Sequence, residues 1–182
     1  MYFENIGREN TEAVVEAALK TAHKKGIKYI VVASSKGGTA MQFNNNKGIN
    51  IIMVSHAYGY PEPGITELDI ETKKELDGMG IQVLTTAHVL SGAERGISKV
   101  FGGVSPVEIM AQTLRLFGQG VKVCVEISVM ALDAGLIPYG QPVIAVGGSS
   151  IGADSAIIIT PANASRIFDT RIHEVICKPS LY

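Results

Sequence analysis

The stretch YIVVASSKGGTA, Tyr29–Ala40, decides the fold. Tyr29–Val32 is a continuous apolar run, not an alternating one, as expected of a strand covered on both faces. It breaks directly into hydroxyls, a lysine and two glycines, the composition of a loop at a strand end. Upstream, Asn10 or Thr11 can cap a helix, with Glu12 near its first turn. Val14, Val15, Ala18, Leu19 and Ala22 follow a helical period, and Lys24, Lys25 and Gly26 suit its end. A helix feeding a doubly covered strand is one unit of a layered α/β protein.

The unit repeats outward. Further aliphatic runs occur at Ile51–Val54, Ile81–Leu84, Val143–Val146, Ala156–Ile159 and Ile172–Ile176. Helical patterns lie between them. One is Glu67–Met79, ending at Gly80, and a second is Pro106–Phe117, capped by Ser105 with Pro106 at the first position. The third, Gln119–Ala134, is valine-rich. Lys122, Glu126 and Asp133 give it one polar edge, and Gly135 suits its C-cap. Asn44–Asn46 reads as a helix-terminating loop. These elements predict a largely parallel sheet with helices on both faces, in a single domain over residues 1–182.

Composition excludes several classes. Glycine takes 20 of 182 positions, above the usual ~7%, while 18% of residues are charged against a usual ~25%. Disordered chains show the opposite balance. A net charge of −1 offers no basic field for nucleic acid. The N-terminus has no apolar signal core, and Lys122, Glu126 and Asp133 interrupt the longest apolar stretch, so a cytoplasmic protein with no membrane partner is expected. Cys124 and Cys177 sit among aliphatic residues and read as buried thiols.

The chemistry-bearing residues follow the strands. SSKGGTA (Ser34–Ala40), SHAYGYPEPG (Ser55–Gly64), TTAHVLSGAERG (Thr85–Gly96), GGSSIGADS (Gly147–Ser155) and TPANAS (Thr160–Ser165) each succeed an apolar run. In a parallel sheet these ends share one rim, where ligands of open α/β sheets bind. Ser34, Ser35, Lys36, Gly37, Gly38 and Thr39 compose a phosphate cradle of hydroxyls, bare amides and one cation, with a helix expected to begin near Thr39. The competing reading is a tight turn with a surface lysine. Gly148, Ser150 and Gly152 match G-x-S-x-G, but the strand at Ala156 leaves no room for the helix a nucleophile elbow requires. A glycine loop for close ligand approach, with Asp154 as a hydrogen-bonding group, is the better functional reading; a plain turn is the other.

Four histidines lack metal-ligand spacing, so no metal site is expected. His23 reads as solvent-facing and His173 as structural, whereas His56 and His88 lie just beyond strand ends and are ligand candidates. Tyr58 and Tyr60 bracket Gly59 in a loop stiffened by Pro61 and Pro63, and either stack on a planar ring or form a rigid lid. Glu94 and Arg95 either clamp a ligand or pair with each other on the surface, the surface pair being the favoured reading.

TEAVVEAALKTAHKKGIKYIVVASSKGGTA, Thr11–Ala40, resembles the opening of the C-terminal α/β domain of pyruvate kinase. SHAYGYPEPG and VGGSSIGADSAIIITPANAS extend the likeness over nearly the whole chain, toward stand-alone proteins built on that domain. The resemblance implies a three-layer α/β/α sandwich with core strand order 3-2-1-4-5, its last strand free to run antiparallel. It implies no kinase activity, because the catalytic barrel is absent from this sequence. It implies a phosphate at Ser34–Thr39, although this loop is one residue longer and carries Lys36 before its glycines, which argues against a sugar-bisphosphate effector. The stand-alone relatives imply flavin mononucleotide, FMN. Its phosphate would lie on SSKGGT, with His56, Tyr58, Thr86, His88, Gly147 and Gly148 around the ring or ribityl chain and Asp154 nearby. The expected function is therefore an FMN-binding flavoprotein with no catalytic residue assignable. The alternatives are a non-catalytic sensor of a phosphorylated metabolite or a structural subunit, with a homo-oligomer compatible with each.

Overall fold

The structure, a computed structural model, describes residues 1–46 and 48–180. Seven strands form one sheet: β1 (Tyr2–Phe3), β2 (Tyr29–Ala33), β3 (Asn50–Ser55), β4 (Gln82–Thr85), β5 (Val143–Gly147), β6 (Ser155–Thr160) and β7 (Arg171–Pro179). Their order is β1-β7-β6-β5-β2-β3-β4. The five central runs therefore stand in the expected 3-2-1-4-5 order. β2 pairs in parallel with β3 and β5, and β3 with β4. β6 runs antiparallel to both β5 and β7, while β1 joins β7 in parallel, so β6 alone opposes the sheet.

The continuous apolar runs feed two cores. Ile30, Val32, Ile51, Met53, Ile144 and Val146 point to the face covered by α1 (Thr11–Lys25) and α2 (Ile70–Gly78). Val31, Ile52, Val54, Val143 and Ala145 point to the other face, under α5 (Gln119–Asp133). Successive strand residues face opposite ways, so a strand apolar at every position fills both layers. This is the three-layer sandwich. α4 (Pro106–Arg115) packs outside α5, with Ser105 and Glu108 forming a reciprocal capping box.

Four expectations need correction. The loop stretch expected over Thr85–Gly96 turns helical at Ala93, and α3 (Ala93–Phe101) has a glycine-bearing sequence that hid it. α2 starts at Ile70, behind its cap Asp69, and not at Glu67. No α-helix begins at Thr39; the chain makes one four-residue 3-10 turn, Ala40–Phe43. Finally, β6 runs downward, so TPANAS lies at the opposite edge from the other four loops. There Asp133, at the end of α5, accepts from Asn163 Nδ2 at 2.7 Å and from the Ala164 N–H. Among the described residues no helix is long and apolar enough to cross a membrane.

Candidate functional site

β2, β3, β4 and β5 end together at Ala33, Ser55, Thr85 and Gly147, and their loops form the rim. The Ser34 N–H continues the sheet by donating to the Val54 carbonyl at 3.1 Å. The Ser34 hydroxyl oxygen accepts the Thr39 N–H at 3.3 Å, closing the loop on itself. Both residues are buried, so they shape the loop. Gly37 has φ 87, and a Cβ there would lie 2.7 Å from Thr72 Cγ2 and 3.3 Å from Leu76 Cδ1. Thr72 is held by Asp69, whose carboxylate accepts from its amide at 2.7 Å and its hydroxyl at 2.8 Å. These bonds keep the Asp69 carboxyl below its ordinary range, the backbone bond most of all. Gly37 thus serves close packing on α2. Gly38 differs: it is exposed, and a Cβ there would meet nothing within 4 Å. With exposed Lys36 and half-buried Ser35, it is the part of the loop open to a ligand.

Across β3 lies a cluster of imidazoles and carboxylates. His56 Nδ1 is bonded to the Glu67 carboxylate, a partner that the sequence assigned to a helix. The Tyr60 ring meets His56 edge-on at 4.4 Å, and His88 is 5.7 Å away. Tyr58 donates its hydroxyl to the Gly64 carbonyl at 2.9 Å, which fixes an otherwise exposed ring. Thr86 and His88 flank a cleft of about 280 Å³ that runs toward Met130 and Asp133 near the end of α5. A larger groove of about 560 Å³, lined by Arg8, Glu9, Glu12, Gln42 and Asn44, lies between α1 and the 3-10 turn that follows Thr39. No sequence signal marked it, because its walls are ordinary surface residues of segments distant in the chain.

Lys122 and Glu126 are not an edge. Each is 4% exposed, and they pair one helical turn apart. The second Glu126 oxygen accepts the Leu90 N–H at 2.9 Å, tying the loop after β4 onto α5. His88 lies beside this pair. Burial lowers its pKa from the ordinary 6.5; the Glu126 charge opposes the shift, and His56 and Lys122 add to it. The folded protein therefore holds His88 neutral where the unfolded chain protonates it. Stability should fall as pH drops below about 6.5, by at most about 1.4 kcal/mol per pH unit from this group. Denaturant unfolding across that range checks this, and His88→Gln should flatten the slope.

The β5 side of the rim is filled by the protein itself. Asp154 is fully buried: Oδ2 accepts the N–H groups of Gly7 at 3.1 Å and Ser149 at 3.0 Å, and Oδ1 accepts the Ser155 hydroxyl at 2.8 Å. Gly152 packs on Thr11 and Arg8, so the segment before α1 occupies this part of the crevice. Cβ atoms on Gly147 and Gly148 would lie 2.6 Å from the Gly120 carbonyl oxygen and 2.2 Å from that of Gly152. Gly147, Gly148 and Asp154, expected near a ligand, are engaged in joining the β5–β6 hairpin to α5 and the N-terminal segment. The hairpin also leaves no helix after Ser150, as a nucleophile elbow would require. Glu94 and Arg95 do not pair; Glu94 accepts the Gly92 N–H at 2.7 Å, at the start of its own helix.

Cys124 and Cys177 are free and buried, and burial pushes both thiols up, Cys177 to about 11. Among the described residues no three His, Cys, Asp or Glu side chains gather as metal ligands.

The sequence model of the family described as pyruvate kinase, alpha/beta domain, matches residues 12–159. Similar solved structures include a pyruvate kinase from Cryptosporidium parvum, with 18% identity over 76% of this chain and a TM-score of 0.40. Another is the Cryptosporidium parvum pyruvate kinase in complex with ADP, with 18% identity over 75% and a TM-score of 0.38. The chain spans 20% of the length of each of these kinases.

Proposed function

The chain belongs to the pyruvate kinase alpha/beta domain family, and on that premise we propose that it binds a phosphate-bearing small molecule, FMN foremost, at the C-terminal rim over β2, β3 and β4. The observation that carries this reading is the half of the SSKGGT loop left open. Gly38 has free space in front of it, with the Lys36 cation and the Ser35 hydroxyl beside it. Such a donor set suits a phosphate, which gains from backbone amides and one positive charge. Ser34, Gly37 and Thr39 would act by shaping the loop.

The rest of the ligand would extend toward His56, Tyr58, Thr86 and His88. The pinned Tyr58 ring offers a flat apolar surface, and the His56 and His88 rings offer hydrogen bonds. Bound FMN would supply hydride and electron transfer, while the protein would contribute binding and orientation. The sensor reading draws on one observation: the His56 Nδ1 atom is already engaged by Glu67, which fits a recognition surface as well as a reactive one.

Protein purified without added cofactor should show flavin absorbance near ~450 nm, or retain it after incubation with FMN and removal of the free flavin. Gly38→Asp should abolish that binding with an unchanged far-UV circular dichroism spectrum, because the new side chain enters open space and opposes the phosphate charge. Absence of flavin binding, together with no binding of phosphorylated metabolites, overturns the proposal. Binding of such metabolites but not FMN selects the sensor reading.

A further inference from the structure

We propose that the α3–α4 hairpin is a homodimer interface, on which a second copy of this chain seats its own α3–α4 face around a two-fold axis. α1, α2, α4 and α5 each bury residues against the molecule, whereas α3 buries none. α3 is nonetheless strongly amphipathic. Ile97, Val100 and Phe101 fall on one side at helical spacing, and Arg95 and Lys99 on the other. The helix is held to its neighbour by polar contacts: Ser98 donates to the Glu108 carboxylate at 2.6 Å. Its apolar stripe is therefore turned to solvent, the reverse of what a surface helix of a monomer does.

Further apolar side chains are exposed on the same hairpin. Val104 lies in the connecting loop, and Ile109 and Leu116 lie seven residues apart on the side of α4 away from Ala111, which is buried. These six side chains are 57–84% exposed. Together they present roughly 700 Å² of apolar area, close to one partner's full share, about 800 Å², of a standard interface. Monomeric proteins rarely leave so much apolar area open on one hairpin.

The face also suits itself. A two-fold interface brings each residue near its own copy or a neighbour's, so charges within it would repel. None of the six carries charge. The nearby carboxylates, Glu94 and Glu108, are bonded to their own helix starts. Arg95, Lys99 and Arg115 stand outside the stripe, where they form a solvated rim.

Sedimentation velocity on the full chain over a wide concentration range tests this. The expected species has twice the 19.3 kDa chain mass. The double variant Val100→Asp, Phe101→Asp should be monomeric, its dissociation constant raised about 100-fold or more. Its circular dichroism should be unchanged, since neither side chain is buried. Because Cys124 and Cys177 are buried, Val100→Cys adds one accessible thiol, and mild oxidation should link two chains. A wild type that stays monomeric overturns the proposal, including one that instead binds anionic vesicles. So does a dimer that survives the double aspartate variant.

Discussion

Glu126→Leu lowers the free energy of unfolding by about 3–5 kcal/mol, measured by urea denaturation. The substitution leaves the Lys122 ammonium in a site that is 4% exposed, without the carboxylate that compensates its lost hydration. It also removes the acceptor of the Leu90 N–H, so a buried backbone donor loses its partner. Both costs fall on the same joint, between α5 and the loop carrying His88. Removing both charges together tests the account. In Lys122→Met, Glu126→Leu no buried charge remains, and most of the loss should be regained. A residual deficit of about 1–3 kcal/mol belongs to the orphaned amide. A double variant as unstable as Glu126→Leu would show that the ion pair is not the source of the effect.

Gly148→Ala should destabilise the protein by about 3 kcal/mol, the upper part of the range for overpacking. The added Cβ would stand 2.2 Å from the Gly152 carbonyl oxygen and 3.3 Å from Ala153 Cα. These are main-chain atoms, which no rotamer change can move. Relief requires opening the β5–β6 turn, and that turn is fastened at Asp154 to Gly7 and Ser149. Gly38→Ala is the matched control. It makes the same chemical change where nothing lies within 4 Å, so its effect should stay within about 0.5 kcal/mol. Equal losses in the two variants would mean that the glycine turn is not tightly packed.

The same pair of glycines shows how much of the site was legible. Both occupy glycine-rich loops after strands, and both looked equally fit to admit a ligand. What separates them is the atom in front of each: a carbonyl of the same hairpin at Gly148, and solvent at Gly38. That fact lies in how the β5–β6 turn folds back on itself between Gly148 and Gly152, which a glycine-rich composition does not specify. Asp154 repeats the lesson, since one of its partners is Gly7, 147 residues away. His56 and His88 were recognisable because they follow strands directly. Glu67 was not, because its helical spacing concealed a loop position ahead of the Asp69 cap.

α3 failed to register for a different reason. Its apolar residues contact no core, so no burial argument pointed to it, and Gly92, Gly96 and Gly102 suggested a loop. Its neighbour α4 carried Ser105 and Pro106, a cap and a first helical position readable from the sequence, and the structure adds Glu108 to complete a capping box. Lys122 and Glu126 were readable as a stripe on α5 but not as an interior one. Periodicity reports which residues share a face, and only the packing of the loop after β4 over that face took it out of water.

By itself the sequence determined the sandwich. Apolar runs without alternation demand cover on both faces, and helical patterns between them supply it, so the layers follow from local chemistry, while the strand order rested on the resemblance to the pyruvate kinase domain. The tertiary structure decided which part of the rim is open. Strands fix where their loops emerge, but space at a loop is what remains after every other segment has docked. Here the N-terminal segment and α5 take the β5 side, and the exposed Gly38 stays free on the other.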